Sequence, residues 1–264
     1  MKIGVIGCGN MASAILRGIL KSGIAAPSDI TAADPFEIAR KNAEDAFGIR
    51  TSESNEEAVA GADLVLLSVK PQVFPKAAPG LSACISSGQV VLSIMAGKSL
   101  ADLAAGLGEG VPIVRAMPNM PALVGEGITG YCPNGKVTDA QLALAVSVIK
   151  AFSDAEAVPE TLMSVVTSVS GSSPAFVFMF IEALADGAVA EGMPRAQALH
   201  FAAQTVLGSA KAVLATGKHP GELKDMVCSP AGTTIAGVAA LERNAFRSAV
   251  IEAVSAAAKR AREL

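Results

Sequence analysis

Histidine, cysteine and charge are all scarce in this chain. The two histidines, His200 and His219, stand in no metal-ligand spacing. The four cysteines, Cys8, Cys84, Cys132 and Cys228, are scattered with no C-x-x-C pair. They read as small, reduced core residues of a cytoplasmic protein. Charged residues make up 17% of the chain and the formal net charge is −3, which argues against nucleic acid as a partner. The basic tail Lys259, Arg260 and Arg262 reads as a solvated last turn favoured by the helix dipole. Clean long apolar runs are missing too. The best membrane candidate, Ala175–Val189, carries Glu182 and Asp186 and falls short of about 18 apolar residues. Met1 leads straight into a strand pattern, so no signal peptide is expected. Repeats at solenoid periods and low-complexity segments are also absent.

Apolar residues are abundant, at 51% of 264 residues. That length suits two modest domains, and that composition suggests extra buried surface between subunits. The chain opens on KIGVIGCGNMASA. Ile3, Val5 and Ile6 suit a buried strand. Gly7, Cys8, Gly9, Asn10, Met11 and Ala12 follow as G-x-G-x-x-A, and Ile15, Leu16, Ile19 and Leu20 then fall at helical spacing. Strand, glycine turn and helix form the first half of a dinucleotide-binding βαβ unit. Gly7 permits the turn, Gly9 lets the backbone approach a pyrophosphate, and Ala12 lets the helix sit close to the strand. The helix N-terminus offers N–H groups and partial positive charge to the phosphates.

Alternation of strands and helices continues to about residue 159. Ile30–Ala33 reads as a second strand ending at Asp34-Pro35. Asp34 is placed to bind a ribose, or to cap the helix that Pro35 begins, and the two roles are compatible. Asn55 opens a short helix. The buried strand Leu64–Val69 ends in Lys70-Pro71, at the edge where parallel sheets hold ligands. Lys70 reads either as a contact to cofactor ribose or phosphate, or as a solvated loop residue. Ala96-Gly97 follow the next strand and again allow close backbone approach. From Glu160 on, the pattern is helical: Thr161–Ser168, Pro174–Glu191, Arg195–Thr216, Pro220–Val227, Gly232–Arg243 and Phe246–Arg262, with Gly171 read as punctuation. These helices carry wide apolar faces that need a partner, and a two-fold dimer supplies one. The expectation is an α/β Rossmann-type domain over 1–159 and an all-α substrate and dimerisation domain over 160–264.

Ser229-Pro230-Ala231-Gly232-Thr233-Thr234 is a small-residue loop opening a helix. From the residues alone it reads as a plain helix cap, with backbone N–H groups that could also take a carboxylate. Glu160 alone reads as an N-terminal-turn carboxylate. Taken with G-C-G-N-M at 7–11, V-K-P-Q at 69–72, R-A-M-P-N at 115–119, VSGSSPAFV at 169–177 and DMVCSPAGTTIAGVAALE at 225–242, the whole chain resembles the pyrroline-5-carboxylate reductase family. Two departures stand out. Ser173 and Phe176 fall where the family often has G-P-A-Y, and Ala231 falls where it often has the first glycine of S-P-G-G.

The resemblance implies reduction of 1-pyrroline-5-carboxylate to proline, the last step of proline synthesis, with NADP or NAD as cofactor. It implies a homodimer or a ring of dimers, with the active site between domains and near the partner subunit. It implies a cofactor site of Gly7, Cys8, Gly9, Asn10, Met11, Asp34, Asn55, Val69, Lys70, Pro71, Ala96, Gly97 and Asn119. It implies a substrate site of Glu160, Ser229, Gly232, Thr233 and Thr234, with Thr234 as the catalytic contact to the imine nitrogen. A protonated imine is already electrophilic, so no strong catalytic acid is demanded, and no Ser-His-Asp or Cys-His set is present. Two other readings compete. A β-hydroxyacid dehydrogenase needs a lysine on the first long C-terminal helix, and Pro174–Glu191 has neither lysine nor arginine. The other is an NAD(P)-sensing module without turnover.

Overall fold

The computed structural model describes residues 1–263, and the chain divides into two compact units. The first runs Met1–Gly171 and takes in the last turns of the final helix from Ala257; the second is Ser172–Ala256.

The first unit is built on one sheet of eight strands. They are β1 Ile3–Ile6, β2 Ile30–Ala33, β3 Arg50–Ser52, β4 Leu64–Leu67, β5 Val90–Ser93, β6 Ile113–Met117, β7 Gly127–Pro133 and β8 Ser153–Ala157. Their order is β3-β2-β1-β4-β5-β6-β7-β8. The first six are parallel, β7 is antiparallel to β6, and β8 is parallel to β7. Six helices connect them: α1 Asn10–Ser22, α2 Glu37–Phe47, α3 Asn55–Val59, α4 Phe74–Cys84, α5 Leu100–Leu107 and α6 Asp139–Lys150.

Helices on both faces explain why β1, β4 and β5 are buried at every position rather than at alternate ones. One apolar cluster gathers Val5, Leu66 and Leu92 with Ile15, Ile19 and Ile149 on one face. A second gathers Ile6, Leu67 and Val91 with Leu81 and Leu103 on the other. The strand order reverses direction between β1 and β4, so the crevice at their C-terminal ends is where this fold takes its ligand.

Past β8 the chain is helical: α7 Met163–Val166, α8 Ser173–Ala190, α9 Arg195–Thr216, α10 Pro220–Val227, α11 Thr233–Arg243 and α12 Phe246–Arg262. Gly171 does not separate two helices as its residue type suggests. A π-helical turn over Thr167–Ser172 carries the helix through, so Glu160–Ala190 is one helical run. Gly171 instead sits against the Met117 side chain, whose terminal methyl would have to shift to admit a Cβ at 2.9 Å. By length and composition alone this 31-residue run could cross a membrane, which Ala175–Val189 alone could not.

The second unit has almost no core of its own. Its buried cluster is Ala185, Ala198 and Ala202, ringed by Ile181, Ala188, Val189 and Met193. Phe178, Met179, Leu199, Phe201, Leu207, Leu214, Met226, Val227 and Ile251 are exposed. An 85-residue unit with so little buried apolar surface is poorly stabilised without a further surface to pack against.

Candidate functional site

The glycine turn is positioned from beneath by Ser68, just past β4. Ser68 Oγ donates to the carbonyls of Ile6 at 2.9 Å and Gly7 at 2.8 Å, and its N–H bonds Ile6 O at 2.9 Å. Gly7 N–H reaches across to Ala33 O at 2.7 Å. The turn is thus fastened to both neighbouring strands. Gly7 sits at φ +97°, where a side chain would be strained, and a Cβ there would meet Ser68 and Val69 backbone at 3.2 Å. A Cβ on Gly9, by contrast, would point into open space. Gly9 is the N-cap of α1; no side chain caps that helix, and its first turn holds no acid. Asn10 and Met11 complete a rim of N–H groups with positive potential beside Cys8, whose own N–H is taken by Asp34. This geometry suits a pyrophosphate, because a ligand can approach the backbone where a Cβ would stand.

Asp34 lies at the end of β2 beside this turn. Its Oδ2 accepts the Cys8 N–H at 2.9 Å and its Oδ1 accepts the Phe36 N–H at 2.9 Å. It therefore turns the chain into α2 without being the N-cap, which is Phe36. Burial and then the Asp34 charge push the Cys8 thiol up to about 11, so it stays protonated and inert at neutral pH. Asn55 is the first residue of α3, whose cap is Ser54. Val69, Lys70 and Pro71 follow β4, with Lys70 exposed and its carbonyl accepting Val73 N–H at 2.8 Å. Ala96 and Gly97 follow β5, with Gly97 at φ +72°. Asn119 follows β6, is buried, and uses Oδ1 to hold the Ile128 N–H at 3.0 Å. All these residues fall at C-terminal ends of parallel strands or in the loops that leave them.

Glu160 is more committed than the sequence reading implied. Its Oε1 accepts from Arg115 Nη1 at 2.9 Å and from the Leu100 N–H at 2.6 Å. It thereby fastens the chain leaving β8 to β6 and to the start of α5. Cys132, on β7 nearby, is pushed up to about 11 by burial and then by Glu160, with Arg115 opposing. The partners Ser68 and Arg115 were missed as functional positions. Ser68 carries no signal beyond a hydroxyl at the end of an apolar strand. Arg115 stood inside the R-A-M-P-N motif.

In the second unit, Ser229–Gly232 leads into α11. Gly232 is its N-cap, bonds Ser229 O at 3.1 Å, and no side chain caps the helix. Thr233 and Thr234 are the first two helical residues and are exposed. Neither hydroxyl has a hydrogen-bond partner among the described residues. The loop is not a Ser/Thr cap: N–H groups and hydroxyls remain open to a ligand. Ala231 holds φ +56°, a left-handed backbone that favours glycine over a residue with a Cβ.

A reversing parallel sheet, a fastened glycine turn and an open, phosphate-sized helix start define a dinucleotide-dependent oxidoreductase. The helical second half narrows the class. A family model described as pyrroline-5-carboxylate reductase dimerisation matches residues 160–264, and one described as NADP oxidoreductase, coenzyme F420-dependent, matches residues 2–97. The pyrroline-5-carboxylate reductase of Escherichia coli is 48% identical over 263 residues, covering 100% of this chain and 98% of the relative. That of Methanosarcina acetivorans is 48% identical over 100% of this chain and 97% of the relative. The Coxiella burnetii reductase structure superposes with a TM-score of 0.93 at 32% identity, covering 99% of this chain and 97% of that one. A Plasmodium falciparum reductase with NADP bound gives 0.90 at 30% identity, covering 100% and 97%. The chain belongs to the pyrroline-5-carboxylate reductase family.

Proposed function

We propose that this chain reduces 1-pyrroline-5-carboxylate to L-proline with NADH or NADPH, the last step of proline synthesis. The observation that carries this reading, given the family, is the uncapped start of α11 with two unpartnered hydroxyls. In this reading the N–H groups of Thr233 and Thr234, left open because Gly232 is the N-cap, hold the substrate carboxylate together with Ser229. The Thr234 hydroxyl orients the ring nitrogen. The bound nicotinamide supplies the hydride for the C=N carbon. Gly7, Cys8, Gly9, Asn10 and Met11 receive the pyrophosphate, and Asp34 and Asn55 the adenosine side. Val69, Lys70, Pro71, Ala96, Gly97 and Asn119 form the rest of the cofactor rim. Glu160 supports the substrate side by fixing the loop before α5 through the Leu100 N–H. The work asked of the protein is positioning, worth several kcal/mol by holding a near-attack geometry.

The functional division we favour is a cofactor domain over 1–159 and a helical domain over 160–264. The apolar faces of α8 and α9 support a homodimer, burying roughly 2,000 Å² or more as obligate interfaces do. We read the run Glu160–Ala190 as part of that dimer in a cytoplasmic protein. It carries Glu182 and Asp186, and Asp186 pairs with Arg195 at 2.5 Å. Sedimentation should show no active 26.5 kDa monomer at micromolar concentration.

The deciding experiment mixes the protein, each reduced cofactor and pyrroline-5-carboxylate and follows nicotinamide absorbance. Thr234→Val should lower kcat/KM by roughly tenfold to a hundredfold, about 1.4–2.7 kcal/mol, while Thr234→Ser keeps most activity. A well-folded Thr234→Val enzyme with unchanged kcat/KM would remove Thr234 from the mechanism.

A further inference from the structure

The Asp34 carboxylate is fixed by two main-chain N–H groups, one on each side, Cys8 inside the glycine turn and Phe36 ahead of α2. It cannot swing aside without breaking both bonds. Each oxygen keeps a second lone pair, and neither offers a proton. A ribose 2′-hydroxyl can donate to such a group. A 2′-phosphate brings acceptors only, and negative charge against negative charge.

The residue that would favour a 2′-phosphate is a nearby arginine with its fork open. Arg40 is the guanidinium at hand, and one N–H of each terminal nitrogen is already engaged. Nη1 donates to the Asp34 carbonyl at 2.9 Å, and Nη2 pairs with Glu53 Oε1 at 2.9 Å. Its side chain is 14% exposed, whereas that of Glu53 is 76% exposed. Glu53 therefore comes to Arg40 from the solvent side.

We propose that Asp34 makes this chain select NADH over NADPH, with Glu53 as a positioning residue that keeps Arg40 from serving a 2′-phosphate. The inference rests on the dinucleotide site described above and deepens it. The selecting contact is to the adenosine ribose, far from the hydride, so it acts on binding rather than on chemistry.

The test is equilibrium binding to the full chain without substrate, read from nicotinamide fluorescence. The probes are NADH and NADPH, with 5′-AMP and adenosine 2′,5′-bisphosphate as fragments read by displacement of bound NADH. The wild-type chain should bind NADH at least tenfold more tightly than NADPH, and the two fragments should rank the same way. Asp34→Asn should cut that preference by tenfold or more. Glu53→Gln, which leaves Asp34 intact, should tighten NADPH severalfold and leave NADH unchanged. If wild type binds NADPH as tightly as NADH, the selection is refuted while the dinucleotide site stands. If neither nucleotide binds, the site reading fails and the selection falls with it. Should Asp34→Asn not fold, the wild-type ratio and Glu53→Gln decide the matter alone.

Discussion

Glu160→Ala tests how the first unit is fastened. The carboxylate makes two charge-assisted contacts through one oxygen, to Arg115 and to the Leu100 N–H. Arg115 is 14% exposed and Glu160 is 35% exposed, so the pair is partly desolvated. Hydrogen bonds to charged groups contribute about 1.5–3 kcal/mol each, and removing one partner strands a half-buried guanidinium. Discounting for water reaching Glu160, the loss should be about 2–3 kcal/mol. For a unit of this size that lowers Tm by roughly 5–10 °C, measured at fixed protein concentration because a dimer's Tm depends on it. Glu160→Gln can still accept from Leu100 and should lose roughly half as much. A second readout is local. The Glu160 charge helps hold the Cys132 thiol up, and Arg115 opposes it. Removing the carboxylate leaves Arg115 unopposed, so the thiol pKa falls and alkylation of Cys132 speeds up at a given alkaline pH. An unchanged Tm together with an unchanged Cys132 alkylation profile would refute the fastening role.

Three further outcomes follow from the geometry. Ala231→Gly relieves a left-handed backbone and should stabilise by about 0.5–1 kcal/mol net of glycine's chain entropy, seen as a higher Tm. Asp102→Ala breaks the capping box with Ser99 at the start of α5 and should cost about 1 kcal/mol near neutral pH. Hydrogen bonds from Ser99 hold the Asp102 carboxyl below its ordinary range, so its contribution is present above that range. It is lost as pH falls through the lowered value, and acid titration of both proteins by calorimetry should show the gap closing there. Gly9→Ser supplies the cap that α1 lacks, at a backbone of φ −78° and ψ −177° that suits one. It should leave Tm unchanged or slightly raised, yet weaken cofactor binding as measured by nicotinamide fluorescence.

The glycine turn was legible because its chemistry is local. A β-branched run, two glycines and a helical period leave few other readings. The loop Ser229–Thr234 was legible as a helix start, but not as an uncapped one, since Ser and Thr residues at that spacing serve a cap equally well. What the sequence hid was non-local. Ser68 fastens a turn 61 positions earlier, and Glu160 reaches Leu100 across 60 positions. No spacing rule links such pairs. Strand β8 was hidden for another reason: SDAEA alternates only small residues with acids and has no β-branched or large apolar side chain, and its buried residue is Ser153, satisfied by Thr129 at 2.6 Å. Helix α5 was overlooked although Ser99-x-x-Asp102 signals its start. The π turn could not be read at all, since no residue pattern over Thr167–Ser172 marks it.

The way the helices begin ties the two halves of the proposed chemistry together. Ser54, Ser99, Thr138 and His219 cap α3, α5, α6 and α10 with their side chains. Among the described helices with an N-cap, only α1 and α11 begin on glycine, Gly9 and Gly232. Glycine as N-cap sacrifices only a few tenths of a kcal/mol against Ser or Asp, because water can reach the bare N–H groups. It also removes the side chain that would otherwise occupy the first turn. A helix start of this kind is nearly as stable as a capped one and stays open to an outside anion. In the proposed reading the dinucleotide brings a pyrophosphate and the cyclic imine a carboxylate, one anion for each glycine-capped helix. The two starts belong to different compact units, and each is held by bonds within its own unit: Ser68 to the carbonyls of Ile6 and Gly7, and Gly232 to Ser229. On that reading each reactant would meet a site organised before it arrives, with no binding energy consumed in ordering the loop.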